Sequence, residues 1–281
     1  MTTAHVMACI DSSAFATTVC DYAAWASLRL DVPLTFVHVL DRKRATQSDL
    51  SGNIGLGSRE HLLEELATLD EKRAKIAQEQ GRIMLDAAVA RAREDGVADV
   101  HCRQRNGELV ETLAELEGEI RLLVLGKRGE SNDEHLGSNL ERVVRALHRN
   151  ILITTGEFRA PARAMIAFDN SVTTRRGIET LAASPLLKGL ECHLVTVGVD
   201  SEAAREGLPW ARELLKNAGI NVSTATRAGH VDEALDKYVQ DNAIDLIVMG
   251  AYGHSRIRHL LVGSTTTTMI RKADVPVLLM R

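Results

Sequence analysis

The side chains best suited to chemistry gather near the C-terminal end, at 245–268, where the chain reads Asp-Leu-Ile-Val-Met-Gly-Ala-Tyr-Gly-His-Ser-Arg-Ile-Arg-His-Leu-Leu-Val-Gly-Ser-Thr-Thr-Thr-Thr. Gly250 is followed after two residues by Gly253 and, after nine more, by Gly263 and Ser264. Glycine lets main-chain N–H groups close on a bulky anion, Ser and Thr hydroxyls donate to it, and the positive end of a helix favours its charge. His254, Arg256, Arg258 and His259 add basic groups to a loop that holds no carboxylate, a combination suited to polyphosphate. A plain strand-to-helix turn can also carry Gly at its bend and Ser as an N-cap. The basic residues between the glycines favour the phosphate site over that turn.

Such a site needs a strand ending at Gly250 and a helix opening near Ser264. The run 246–249 is short, apolar and partly β-branched, as expected of a strand buried on both faces, and a helical segment runs from Ser264 through Arg271. The same alternation fills the rest of the chain. Strands are expected at 5–10, 34–40, 100–103, 120–125 and 151–154, and helices at 14–30, about 60–94, 109–117 and 139–148. The polar stretch with Gly52, Gly55 and Gly57 reads as a mobile loop. Alternating strands and helices imply an α/β fold, a parallel sheet covered on both faces.

After a linker at 156–161 the order begins again. Asp11 and Asp169 lie 158 residues apart, as do Val39 and Val197 at the ends of the second strands. Gly107 pairs with Gly229 at 122, Gly126 with Gly250 at 124, and Ser138 with Ser264 at 126. The offset falls by 36 between the second and third strands, so the first copy holds an insertion there, a loop and long helix at about 42–95. One module is used twice, giving expected domains at 1–157 and 161–281.

Composition narrows the function. The chain has 281 residues, 45% hydrophobic and 26% charged, with a net charge of −4 and only 3% aromatics. That leaves no basic footprint or stacking platform for nucleic acid. No run approaches a membrane span and the start lacks a signal-peptide pattern, so a cytoplasmic protein is expected. Cys9, Cys20, Cys102 and Cys192 have no metal-ligand spacing and read as free thiols, and no metal site or catalytic residue stands out.

In its Gly-two-Gly-nine-Gly-Ser spacing and its doubled module, the chain resembles a tandem universal stress protein. The resemblance implies an adenine-nucleotide alpha-hydrolase-like fold, with two open parallel five-stranded sheets in the order 3-2-1-4-5 and helices on both faces. It implies ATP (or AMP or ADP) across the carboxyl ends of strands one and four, where open α/β sheets generally bind ligands, with Mg²⁺ held by the phosphates. Carried onto this chain, Asp169 meets the adenosine and Val197 lines the adenine pocket. Met249 and Gly250 approach the ribose and adenine side, and Gly253, Gly263, Ser264, Thr265 and Thr266 hold the phosphates, with His254 and Arg256 beside them. Asp169 can also serve as N-cap of the helix near Val172, and Val197 and Met249 suit a core in any case.

The first copy departs from this pattern. Only seven residues separate Gly129 from Gly137, and Glu130, Asp133 and Glu134 occupy the shortened loop. Carboxylates repel a triphosphate, partly offset by Lys127 and Arg128, so a weaker, altered or empty first site is expected. The leading expectation is a stress or regulatory protein that senses or stores ATP in its second half. Slow ATP hydrolysis assisted by His254 or His259 is the enzymatic alternative, since no Walker lysine or GxGxxG loop is present. A ligand-free interaction module is the third. The resemblance also implies that the last strands, 151–154 and 277–280, run against each other in an intramolecular pseudo-dimer. The stripe Leu62, Leu66, Leu69, Ile76, Ile83 and Met84 on the inserted helix leaves open a homodimer or packing on its own domain.

Overall fold

The computed structural model describes residues 4–40, 56–127, 138–199, 201, 203–251 and 264–281. The first half runs β1 (His5–Cys9), α1 (Ala16–Leu30), β2 (Leu34–Leu40), α2 (Leu56–Glu94), β3 (Val100–Asn106), α3 (Leu109–Glu115), β4 (Ile120–Gly126), α4 (Ser138–Ala146) and β5 (Ile151–Thr154). The second runs β6 (Arg163–Ala167), α5 (Val172–Ala182), β7 (Glu191–Val197), α6 (Leu208–Asn217), β8 (Asn221–Arg227), α7 (Val231–Asp241), β9 (Leu246–Gly250), α8 (Ser264–Lys272) and β10 (Val277–Met280).

The strands form one sheet in the order β3-β2-β1-β4-β5-β10-β9-β6-β7-β8. Each half supplies its five in the expected order, all parallel. The halves do not keep separate sheets: β10 lies antiparallel to β5, with Val277 opposite Ile153, Leu278 opposite Leu152 and Leu279 opposite Ile151. All six side chains are buried, so the seam is as apolar as any interior strand pair. The outer edges, β3 and β8, carry polar residues on their exposed positions, which suits strands whose free edge faces water.

Side chains alternate across the pleat into two cores, one per face, and each core continues through the seam. Leu152, Leu278 and Met280 belong to one, with Val6, Phe36, Ala164 and Leu194. Ile151, Ile153, Val277 and Leu279 belong to the other, with Met7, Leu123, Met165 and Ile247. Contacts outside the sheet reinforce the seam. Thr18 Oγ1 donates to the Gly156 carbonyl (2.8 Å), Tyr22 meets Phe158 edge-on with ring centroids 4.8 Å apart, and Arg29 Nε donates to the Leu186 carbonyl (2.7 Å).

The expected insertion at about 42–95 is only in part an insertion: α6 stands between β7 and β8 where α2 stands between β2 and β3, so the helix is common to both halves and the first half's 36 extra residues lengthen it and its loop. α2 begins at Leu56, ahead of the expected start near residue 60, and takes in Gly57, which the sequence had suggested for a loop; Gly52 and Gly55 lie outside the described residues. Its C-terminal part packs on the sheet through Leu85, Ala88 and Ala92, and Arg91 Nη2 holds the Asp21 carboxylate of α1 (3.0 Å). Among the described residues farther toward the N-terminus of α2, large apolar side chains stand exposed. Leu69, Ile76 and Ile83 are 49%, 59% and 57% exposed, Leu66 is half-buried and Met84 packs against the core, while the side chain of Leu62 lies outside the described ones.

Gly81 marks where α2 meets the sheet. A β-carbon there would lie 2.4 Å from Gln104 Nε2 and 2.6 Å from His38 Cδ2, and His38 is held by its Nδ1 contact to the Ile10 carbonyl (2.9 Å). In an exposed helix, Gly to Ala stabilises by about 1 kcal/mol. At this contact, overpacking costs about 1–3 kcal/mol. Gly81→Ala should therefore lower the melting temperature despite the better helix propensity, and a rise would show that α2 does not seat on His38.

Candidate functional site

The strand order reverses direction of growth at β6: β7 lies on one side and β9 on the other. The carboxyl ends of β6 and β9 thus open a crevice at a topological switch point, the usual ligand position in open α/β sheets. Asp169 lies two residues past the end of β6, Val197 ends β7, and Met249 and Gly250 end β9. Asp169 is half-buried, Val197 packs against the core below, and Met249 and Gly250 are buried. Ser264 opens α8, with Thr265 half-buried and Thr266 buried behind it. The fold therefore brings these seven positions to one edge of the second half. Gly253, His254, Arg256 and Gly263 lie outside the described residues, as do Arg258 and His259.

Local hydrogen bonds explain the shape of this edge. Ser171, not Asp169, is the N-cap of α5, its hydroxyl accepting from the Thr174 N–H (3.3 Å). Asp169 braces that cap: its Oδ1 accepts from the Ser171 N–H (3.0 Å) and from the Thr174 hydroxyl (2.7 Å). Thr266 Oγ1 donates to the Gly250 carbonyl (3.2 Å), fastening the first turn of α8 to the end of β9. That bond orients the helix on the strand, and the first N–H groups of any α-helix lack intrahelical partners at its positive end.

A second set of residues at this edge escaped the sequence reading. Asn170 adopts a left-handed backbone (φ 61°) and accepts a hydrogen bond from Arg175 Nη1 (2.8 Å). The Arg175 guanidinium lies 3.9 Å from the ring centre of Trp210, a cation–π contact, and Phe168 stands 6.4 Å from the same ring. A single π-helical turn, Ala203–Gly207, leads into α6. Gly207 comes so close that a β-carbon would lie 2.7 Å from Phe168 and 2.8 Å from Asn170 Oδ1. The Asp-Asn-Ser sequence, with an Asn suited to the left-handed region, was the available signal.

The first half repeats part of this. Asp11 Oδ1 accepts from the Ser13 N–H (3.1 Å), as Asp169 does from Ser171. His38 contacts the Ile10 carbonyl where Thr196 Oγ1 donates to that of Phe168 (2.7 Å). Its α1 has no side-chain cap, and Lys127 Nζ reaches the carbonyls of Arg271 and Ala273 in the other half. Residues 128–137, with Arg128, Glu130, Asp133 and Glu134, lie outside the described ones.

The sequence pattern of the Universal stress protein family matches residues 2–155 and again 162–281. A universal stress protein of Synechocystis sp. is 36% identical over 99% of both chains. The chain belongs to the universal stress protein family. A second relative, a universal stress protein of Methanocaldococcus jannaschii, is 28% identical over 29% of this chain and 50% of its own. The crystal structure of a universal stress protein from Archaeoglobus fulgidus DSM 4304 shares the fold over 99% of this chain and 96% of that one, with a TM-score of 0.68 at 20% identity. The family frame thus covers both halves, including the first with its altered loop.

Three of the four thiols fit a packing role. Burial pushes Cys9, Cys20 and Cys192 up to about 12, which keeps them protonated at neutral pH, and Cys102 is exposed on β3. Among the described residues no cluster of three or more His, Cys, Asp or Glu is placed to hold a metal ion.

The bracing of Asp169 is open to test. Thr174→Val keeps the side-chain shape but removes a hydroxyl donating to a carboxylate, a bond worth about 1.5–3 kcal/mol. Urea unfolding should show a loss in that range; an unchanged midpoint would mean that Thr174 does not hold the β6 edge together.

Proposed function

We propose that this protein binds ATP or another adenine nucleotide in its second half and serves as a cytoplasmic regulator in the stress response. The observation that carries the reading is the edge at β6 and β9. Asp169, Val197, Met249 and Gly250 meet there beside the N-terminus of α8, and the glycine spacing of ATP-binding family members stands in the sequence between β9 and α8. In this reading Asp169 faces the adenosine, Val197 the adenine, and Gly253, Gly263, Ser264 and Thr265 the phosphates, with Thr266 orienting the helix. His254 and Arg256 supply counter-charge, and Mg²⁺ travels on the phosphates. Binding rather than efficient turnover is the assigned activity, with weak hydrolysis as the enzymatic limit.

The first half is assigned a supporting role, forming with the second an intramolecular pair of domains, 1–157 and 161–281. Its shortened loop carries three carboxylates and the Lys127 ammonium is bonded to the end of α8, so an equal second ATP site is not expected. Among the described residues no helix is long and apolar enough to cross a membrane, which accords with the proposed location.

Native mass spectrometry with ATP and Mg²⁺ tests the reading. One nucleotide per chain is expected; none would leave the ligand-free interaction module standing, and two of equal affinity would overturn the ranking of the halves. Gly263→Val should weaken ATP binding by on the order of tenfold or more, because a branched side chain blocks close approach of a phosphate to the backbone. Gly137→Val should leave it almost unchanged.

A further inference from the structure

Lys127 follows Gly126 at the end of β4, in the first half. Its main-chain N–H stays there, donating to the Thr154 carbonyl (2.9 Å). Its ammonium crosses the seam. Nζ lies 2.7 Å from the carbonyl oxygen of Arg271 and 2.8 Å from that of Ala273, at the C-terminal end of α8. The last carbonyls of a helix lack intrahelical partners and carry its negative end, so a lysine placed there both satisfies and stabilises them. The contact has no mirror image: the position matching Lys127 by the spacing of Gly126 and Gly250 is Ala251, a buried methyl.

α8 is thus fastened at two ends by different halves. Thr266 ties its first turn to β9, Met269 and Ile270 seat it on the core, and Lys127 grips its last turn. A helix of nine residues is about 13 Å long and stiff, so a hold at one end also limits sliding at the other. Main-chain N–H groups recognise an anion only when held within about 0.5 Å of the right place.

We propose that Lys127 is a positioning residue for the phosphate end of the second half's site. It acts through α8 and touches no ligand, so the half not expected to hold an equal ATP site supplies a fixed point for the other. This rests on the nucleotide reading given above. It makes a selective demand: loosening α8 should harm recognition of phosphates and spare recognition of adenosine, whose contacts lie on β6, β7 and β9.

The test is titration calorimetry on the full chain with ATP and, separately, adenosine. Lys127→Met keeps the stem and removes the ammonium, Lys127→Arg restores a cationic donor, and Lys237→Met removes an exposed lysine paired with Asp241 on α7. Lys127→Met should weaken ATP about five- to tenfold and leave adenosine unchanged, Lys127→Arg should recover most of the loss, and Lys237→Met should match the unaltered chain. In the absence of nucleotide, hydrogen exchange in the last turn of α8 should quicken in Lys127→Met and not in Lys127→Arg. Equal weakening of ATP and adenosine, or ATP affinity unaffected by Lys127→Met, would overturn the assignment. If the unaltered chain takes up no ATP, the nucleotide reading itself falls, and this assignment with it.

Discussion

The pairing of β5 with β10 is the constraint from which the rest of the architecture follows. Each half ends in a four-residue strand whose side chains are all buried, and a free edge of that kind would invite pairing with any exposed strand. Setting the two edges against each other removes the liability inside one chain. It also fixes the relative placement of everything else, because both cores pass through Ile151, Leu152 and Ile153 into Val277, Leu278 and Leu279. A rigid sheet at the seam is what allows Lys127 to reach α8 and Arg29 to reach the Leu186 carbonyl.

Two copies of one module need not stay alike once they are joined. The carbonyl that follows the first strand is met by His38 in one half and Thr196 in the other, so the same local requirement is filled by unlike residues. Elsewhere the copies diverge in what they cover. The first half lays a long helix over its sheet through Gly81, whereas the second closes the end of β6 with a π-turn, Trp210 and Arg175. The divergence lies toward the carboxyl ends of the strands, the side on which open α/β sheets generally take ligands, while the packed interior keeps its pattern.

The sheet was legible because its inner strands are buried on both faces and stand out as short apolar runs between turn residues. The sequence pattern points to an end of β3 at Arg103, although the strand continues to Asn106, because an edge strand carries polar residues that hide its pattern. Glycine and serine near the start of α2 resemble a loop and hide its first turn, and the pattern between Val197 and Gly229 does not announce α6. The candidate site was legible to the extent that glycine spacing and strand ends mark it. What the sequence could not supply were contacts made at distance: the brace of Asp169 by Thr174, the stacking of Arg175 on Trp210, and the crossing of Lys127 into the other half.

Amide hydrogen exchange on the intact chain tests the joined sheet most directly. In a continuous sheet, amides of β5 and β10 have partners on both sides and should exchange as slowly as those of β1, β4, β6 and β9, while the outer strands β3 and β8 exchange faster. Exchange in β5 and β10 as fast as in β3 and β8 would mean that the seam is open, and that the two halves are separate bodies on a linker.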